Sequence, residues 1–459
     1  MMFSKFRQLE IIDKIIFGLT SASMFALLYV LYRDFIFFES TRHESYLKYY
    51  YILFFCVFFW SALLRLKRSY KINILVITFS SVIGIYLSEI ILSVSKKINK
   101  KEDISLIAKS FNVYFDPRSK KEVVIDLKKQ FGSAAPHIAP SNFISPSNIN
   151  LNSKANLFPL SGISKTHTVG DNESGTYQIY LSDRYGFNNP DEEWDSKNVE
   201  FLLIGDSFTL GSAVEPGKEI SGQLREISNK PVINLGMGGN GPLIELASLI
   251  EYGKILKPNN VLWFFYEGND LSSNISSEME DPILMSYLEG DYYQDLTKKQ
   301  VLIDQKLEKI IGLKMKENTN SESHFAITNF LKLYNLRELF GSLMQNDKDI
   351  EIRLNLLSRI LSKAKNVVDD WGGELHFIFL PEYSRYDKRN VSLANYKNKQ
   401  DILNLVEELN IQLIDIDSDF FRSIKDPYSL FPFRSSSAHY SENAYKLISK
   451  KIFEFLQLN

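Results

Sequence analysis

Three apolar runs in this sequence end in small and polar residues of a kind that can do chemistry. Val199–Ile204 ends in Gly205-Asp206-Ser207-Phe208-Thr209-Leu210-Gly211. Val232–Leu235 leads into Gly236-Met237-Gly238-Gly239-Asn240-Gly241, and Val261–Tyr266 ends in Glu267-Gly268-Asn269-Asp270. A serine at a strand-to-helix turn projects its hydroxyl beside a helix N-terminus, whose partial positive charge favours a developing anion. The Ser207 backbone N–H, a glycine N–H from the second turn and the Asn269 amide could hold the oxyanion of a tetrahedral intermediate. His439, just ahead of a final helix for which Ser441 reads as N-cap, can serve as the base. The set suits acyl transfer at an ester. Asp206 and Asp270 are expected to hold their loops through backbone hydrogen bonds rather than to carry protons.

These residues share one edge only if the runs are neighbouring strands. Further buried-strand runs occur at Leu375–Leu380 and Gln412–Ile416. Helical periodicity falls near Glu219–Ser228, Leu243–Lys254, Glu351–Asp370, Gln400–Leu409 and Ser441–Leu456. The alternation predicts a three-layer α/β sandwich with a parallel sheet, flavodoxin-like in class, and a ligand crevice at the carboxyl ends of the strands. Trp263, Phe264, Phe265 and Tyr266 read as sheet core. Residues 271–343 interrupt the alternation with a charged helical insertion, read as a lid or a partner surface.

Three apolar stretches open the chain: Ile15–Tyr32, Tyr49–Leu64, and Ile72–Ser88 continuing past Glu89 to Ser95. Each approaches the roughly 20 residues that cross a bilayer as a helix, so residues 1–95 are expected to form a three-helix transmembrane anchor. Glu89, near the end of the third, is expected to snorkel towards the interface. Lys5, Arg7 and Lys14, and the loop Arg65-Leu66-Lys67-Arg68-Ser69-Tyr70-Lys71, predict a cytoplasmic N-terminus and an extracytoplasmic, periplasmic remainder. Residues 1–101 carry 14 basic and 6 acidic side chains and the rest 39 and 49, so the first 101 residues are net +8 and the remainder net −10. An acidic remainder without a basic, aromatic-studded stripe argues against nucleic acid. Cys56 alone, and six histidines without HExxH spacing, support no disulfide framework and no metal site, and no cofactor is expected. Residues 96–172, with Ser, Asn and Pro gathered around 136–148, read as an extracytoplasmic connector, and 173–459 as the catalytic domain.

The Gly-Asp-Ser block, the Asn234-to-Gly239 spacing, the Gly-Asn-Asp block and the C-terminal His439 together resemble the SGNH/GDSL hydrolase superfamily over roughly Val199 to the C-terminus. The resemblance implies nucleophile Ser207, base His439, and oxyanion donors Gly239 and Asn269. Where such a protein usually carries an aspartate three residues before its histidine, Ser436 stands. Asp426 or Glu442, or a backbone carbonyl, could orient the imidazole instead. By analogy with membrane-associated SGNH proteins, the implied function is a serine ester hydrolase acting outside the cytoplasmic membrane on O-acyl groups of envelope or exported polysaccharide. An O-acyltransferase using the same acyl-enzyme is the first alternative, and a catalytically inactive binding or assembly protein the second. The expected partners are an acylated carbohydrate or other ester, the bilayer, and membrane proteins that could supply an acyl donor.

Overall fold

The computed structural model describes residues 10–37, 43–99, 104–144, 157–316, 328–343, 347–386, 398–435 and 438–458. The chain divides into two compact units, Met1–Lys97 with Ala326–Phe340, and Ile98–Phe325 with Gly341–Asn459.

The first unit is built on three helices, α1 (Ile11–Leu31), α2 (His43–Leu63) and α3 (Arg68–Asn99). Over Ile11–Ile36, Tyr46–Leu63 and Arg68–Ser95 they are long and apolar enough to cross a membrane. Their large apolar side chains face outward, with Phe25 72%, Phe54 59% and Ile83 59% exposed, which water would not tolerate and hydrocarbon would. A small core of Ile16, Leu63 and Leu75 joins them, and Lys71 pairs with Asp13 at 2.7 Å. Glu89 does not snorkel: it is fully buried, and its carboxylate accepts from the backbone N–H of Asn335 and Leu336, both at 2.9 Å, and from the Asn335 amide at 2.8 Å. Those N–H groups belong to the exposed first turn of a helix at Tyr334–Leu343, where an anionic acceptor is favoured. Tyr86 adds a ring contact to Phe330 at 5.2 Å. Part of the insertion, 328–340, is therefore a partner of α3.

The second unit holds two sheets. In the larger, β4 (Phe201–Ile204), β5 (Val232–Asn234), β6 (Asn260–Tyr266), β7 (Glu374–Leu380) and β8 (Gln412–Asp415) run parallel in the order β5-β4-β6-β7-β8. Side chains alternate between two cores, as a strand's two-residue period requires. Leu202, Ile204, Trp263 and Phe265 pack on one face with Leu243, Ile360 and Val406, whereas Phe201, Leu203 and Phe264 pack on the other with Leu224, Ile448 and Ile452. The result is the expected three-layer sandwich. Ile303, Leu307 and Ile310 of the helix Gln300–Lys316 are buried in the first core, so this part of the insertion is structural rather than a lid.

The stretch read as a connector is largely folded. It carries a helix at Lys120–Phe131, with a capping box between Ser119 and Glu122, and two strands, β1 (Ala134–Pro136) and β2 (His167–Asn172), of a three-stranded sheet completed by β3 (Tyr177–Leu181) from the segment read as catalytic domain. β1 runs parallel and β3 antiparallel to β2. Val123, Val124 and Val169 form its core, too few residues in too short a span for periodicity to stand out against the surrounding Ser and Pro.

Candidate active site

The strand order explains why three loops meet. β4 lies between β5 and β6, so the loops leaving their carboxyl ends are neighbours at one edge of the sheet. Ser207 is the first residue of the helical turn Ser207–Leu210, and Asp206 caps it, its Oδ1 accepting from the Phe208 N–H at 2.9 Å. Gly205 must be glycine, since a Cβ there would stand 2.1 Å from Thr209 Oγ1.

The Ser207 hydroxyl lies 2.7 Å from His439 Nε2, although 232 residues separate them. His439 Nδ1 lies 2.8 Å from Glu173 Oε2, and that same oxygen accepts the His439 backbone N–H at 2.8 Å. Serine, imidazole and carboxylate thus form a continuous relay in the order of a hydrolytic triad. The imidazole is fixed on its far side by the Phe208 ring, at 4.5 Å between centroids, and Phe208 in turn stacks on Tyr266. Ser441 Oγ accepts the Ala444 N–H at 3.3 Å, the N-cap bond that ends the His439 turn and begins the helix Glu442–Leu458. Burial opposes protonation of His439, but the hydrogen bond and charge of Glu173, with the charge of Asp206, hold its pKa above 6.5.

Neither Asp426 nor Glu442 orients the imidazole. Asp426 pairs with Arg434 at 2.5 Å, and Glu442, in the first turn of the final helix, pairs with Lys218 at 3.1 Å. Ser436 lies outside the described residues. Glu173 comes instead from the turn between β2 and β3, 266 residues from His439. That turn is pinned to the segment before it. Asn172 Nδ2 donates to the Asp116 carbonyl at 3.1 Å, and the Asp116 N–H donates to the Gly175 carbonyl at 2.7 Å. Gly175 has φ +103°, and a Cβ there would come within 2.2 Å of the Tyr114 carbonyl oxygen. The only local signal for Glu173 was an acidic, glycine-containing turn, Asp171-Asn172-Glu173-Ser174-Gly175, ahead of an alternating strand.

Asn269 and the second loop dock on the nucleophile loop. Asn269 turns its amide Nδ2 to within 3.4 Å of Asp206 Oδ2. The second loop docks on the first through the Met237 N–H to the Gly205 carbonyl at 3.3 Å and Asn240 Nδ2 to the same oxygen at 3.4 Å. Gly239, at φ +73°, faces Ser141, and Gly238 faces His137, whose burial lowers its pKa to about 4 and keeps it neutral. Asp270 is fully buried and accepts the Tyr266 N–H at 2.7 Å, so it holds its own loop. Asp206, Glu245, Asp270 and Glu278 form a buried acidic group behind these loops. Desolvation raises the pKa of all four, that of Glu278 to about 8, and mutual repulsion adds to the effect at Glu245 and Asp270. Trp263, Phe264 and Phe265 are buried sheet core. Among the described residues no group of three or more His, Cys, Asp and Glu side chains is arranged to hold a metal ion.

No protein-family model matches the chain, and no curated protein matches it. Solved structures that resemble it include a G-D-S-L family protein from Desulfitobacterium hafniense, 14% identical, covering 56% of this chain and 99% of that one with a TM-score of 0.31. Another is the lipase/acylhydrolase from Enterococcus faecalis, 16% identical, covering 56% of this chain and 95% of that one with a TM-score of 0.32.

Proposed function

We propose that this chain is a membrane-anchored serine ester hydrolase that works outside the cytoplasmic membrane and removes O-acyl groups from envelope or exported polysaccharide. The observation that carries the chemistry is the unbroken relay from Ser207 Oγ through His439 to Glu173. His439 Nε2 takes the hydroxyl proton as Oγ attacks the ester carbonyl, and the tetrahedral oxyanion is held by the Ser207 and Gly239 backbone N–H groups and the Asn269 amide. Glu173 fixes the imidazole tautomer and stabilises the imidazolium. Collapse breaks the ester C–O bond, the leaving alcohol takes the proton from His439, and water then repeats the sequence to release the acid and free Ser207. Glu173 supplies the carboxylate that Ser436 could not, which removes the motive for reading the chain as an inactive binding protein.

The location rests on three apolar helices whose flanking Arg65, Lys67, Arg68 and Lys71 favour the cytoplasmic side, an odd number of spans delivering the second unit outside. A tethered acidic domain there has envelope polysaccharide within reach. In the full chain in detergent, p-nitrophenol should be released from its acetate by the wild type and not by Ser207→Ala. An added oligosaccharide acceptor that captures the acetyl group would show transfer instead of hydrolysis. A C-terminal alkaline phosphatase fusion should be active in cells; a stable but inactive fusion would overturn the outside assignment.

A further inference from the structure

The two side chains that follow the third loop touch the second. Glu278 is fully buried; its Oε1 accepts the Gly241 N–H at 2.6 Å and its Oε2 accepts the Leu243 N–H at 2.8 Å. The donors are the N-cap Gly241 and Leu243 in the buried first turn of the helix Pro242–Ser248, right behind Gly239 and Asn240, where backbone N–H groups have no partner within the helix. Asn274 Nδ2 donates to the Asn240 carbonyl at 2.7 Å and lies 3.5 Å from Asp270 Oδ1, while the Asn274 N–H donates to the Asn269 carbonyl at 3.1 Å. Gly241 admits this contact because it has no side chain: a Cβ would stand 2.5 Å from Asn274 Cβ and 2.9 Å from Glu278 Oε1.

We infer that Asn274 and Glu278 are positioning residues that lock the Gly239 turn to the Asn269 loop, so that the two oxyanion donors are held as one rigid unit. The inference rests on the ester-hydrolase reading above. Neither residue touches the reacting atoms. Each acts through the backbone of the second loop, and a carboxyl group whose two oxygens each accept one N–H leaves that loop little freedom to slide. Preorganised donors stabilise a transition state only when their spacing is fixed before reaction, and a shift of about 1 Å can cost on the order of 100-fold in rate. Glu278→Gln keeps the size but offers one acceptor oxygen where two N–H groups need one each. Asn274→Ala, at a partly exposed position, removes the bridge to Asn240 without leaving a buried charge.

The test compares steady-state hydrolysis of p-nitrophenyl acetate by the wild type, Glu278→Gln and Asn274→Ala, each as the full chain in detergent. The clamp should lower kcat by about 10- to 100-fold in both variants and leave KM within about 3-fold, because donors meant for the oxyanion are misplaced while ground-state binding is kept. The rate of Ser207 acylation should fall in the same proportion, and the pH at which the acid limb of kcat/KM turns over should stay at its wild-type value, since the His439–Glu173 pair is untouched. If the wild type is active and both variants keep wild-type kcat, the clamp is overturned while the hydrolase reading stands. A fall accompanied by a shifted acid limb would also overturn it, locating the effect at His439. If Glu278→Gln fails to fold, Asn274→Ala alone decides, and an inert wild type overturns both readings.

Discussion

Glu173 carries the heaviest demand of any single residue. It bonds the imidazole Nδ1 and the backbone N–H of the same histidine, so it sets both the tautomer and the ring direction. Glu173→Gln should lower kcat by about 100- to 10,000-fold with the fold retained, the range expected when a triad loses its orienting carboxylate. Asp426→Asn and Glu442→Gln should leave kcat within about 2-fold, since both side chains are occupied by other partners at the surface. Matched progress curves on one ester check all three. The pH profile carries its own sign. The folded pKa of His439 lies above 6.5, so the neutral base forms only as pH rises through that higher value. The acid limb of kcat/KM should therefore turn over above 6.5 in the wild type and move to lower pH in Glu173→Gln, which removes the charge that favours imidazolium.

Among elements, β2, read from sequence as the end of the connector, pairs with β3, read as the start of the catalytic domain, in a hairpin whose tip brings Glu173 to His439. Its tip owes its position to Gly175, at φ +103° against the Tyr114 carbonyl. Gly175→Ala should destabilise the hairpin by about 1–3 kcal/mol and lower kcat without abolishing the fold, as read by thermal unfolding and ester turnover on the same sample. The contrast with the large sheet explains what the sequence disclosed. Val199–Ile204, Val261–Tyr266 and Leu375–Leu380 are buried on both faces, so their unbroken apolar runs announce parallel strands, and Ser207, Asn269 and the glycine turn follow directly from where those runs stop. β1 and β2 are three and six residues long, mixed in composition, and stabilised by a core of a few valines, so no periodicity marks them. Glu173 was hidden for the same reason. Its role is defined by a histidine 266 residues away, a distance over which no local pattern operates. Glu89 likewise read as a charge near a helix end, because its partners, the N–H groups of residues 335 and 336, lie in an insertion whose path is set by tertiary packing.

At the scale of the molecule, an apolar helical unit is joined to an acidic α/β unit that buries four carboxyls behind its nucleophile loop. Glu245 is the extreme member: fully buried, with its pKa raised well above the ordinary 4.5 by desolvation and the neighbouring Asp270, Asp206 and Glu278. A group whose folded pKa is raised keeps its proton in the native state after the unfolded chain has lost it. Its contribution to stability is therefore complete below about pH 4.5 and declines as pH rises above that. Glu245→Gln, which mimics the protonated acid, should match the wild-type Tm at pH 4.5 and exceed it at pH 8.5. Parallel calorimetry at the two pH values checks the difference; a variant less stable at the higher pH would show that Glu245 is ionised in the fold.

The relay itself is most directly tested by intact-protein and peptide mass spectrometry after exposure of the full chain to a fluorophosphonate, with Ser207→Ala and Glu173→Gln alongside. The wild type should gain a single adduct on the peptide containing Ser207, Ser207→Ala none, and Glu173→Gln the same adduct at least about 100-fold more slowly. A wild type left unmodified under conditions that modify a control serine hydrolase, or a Glu173→Gln variant labelled as fast as the wild type, would contradict the account.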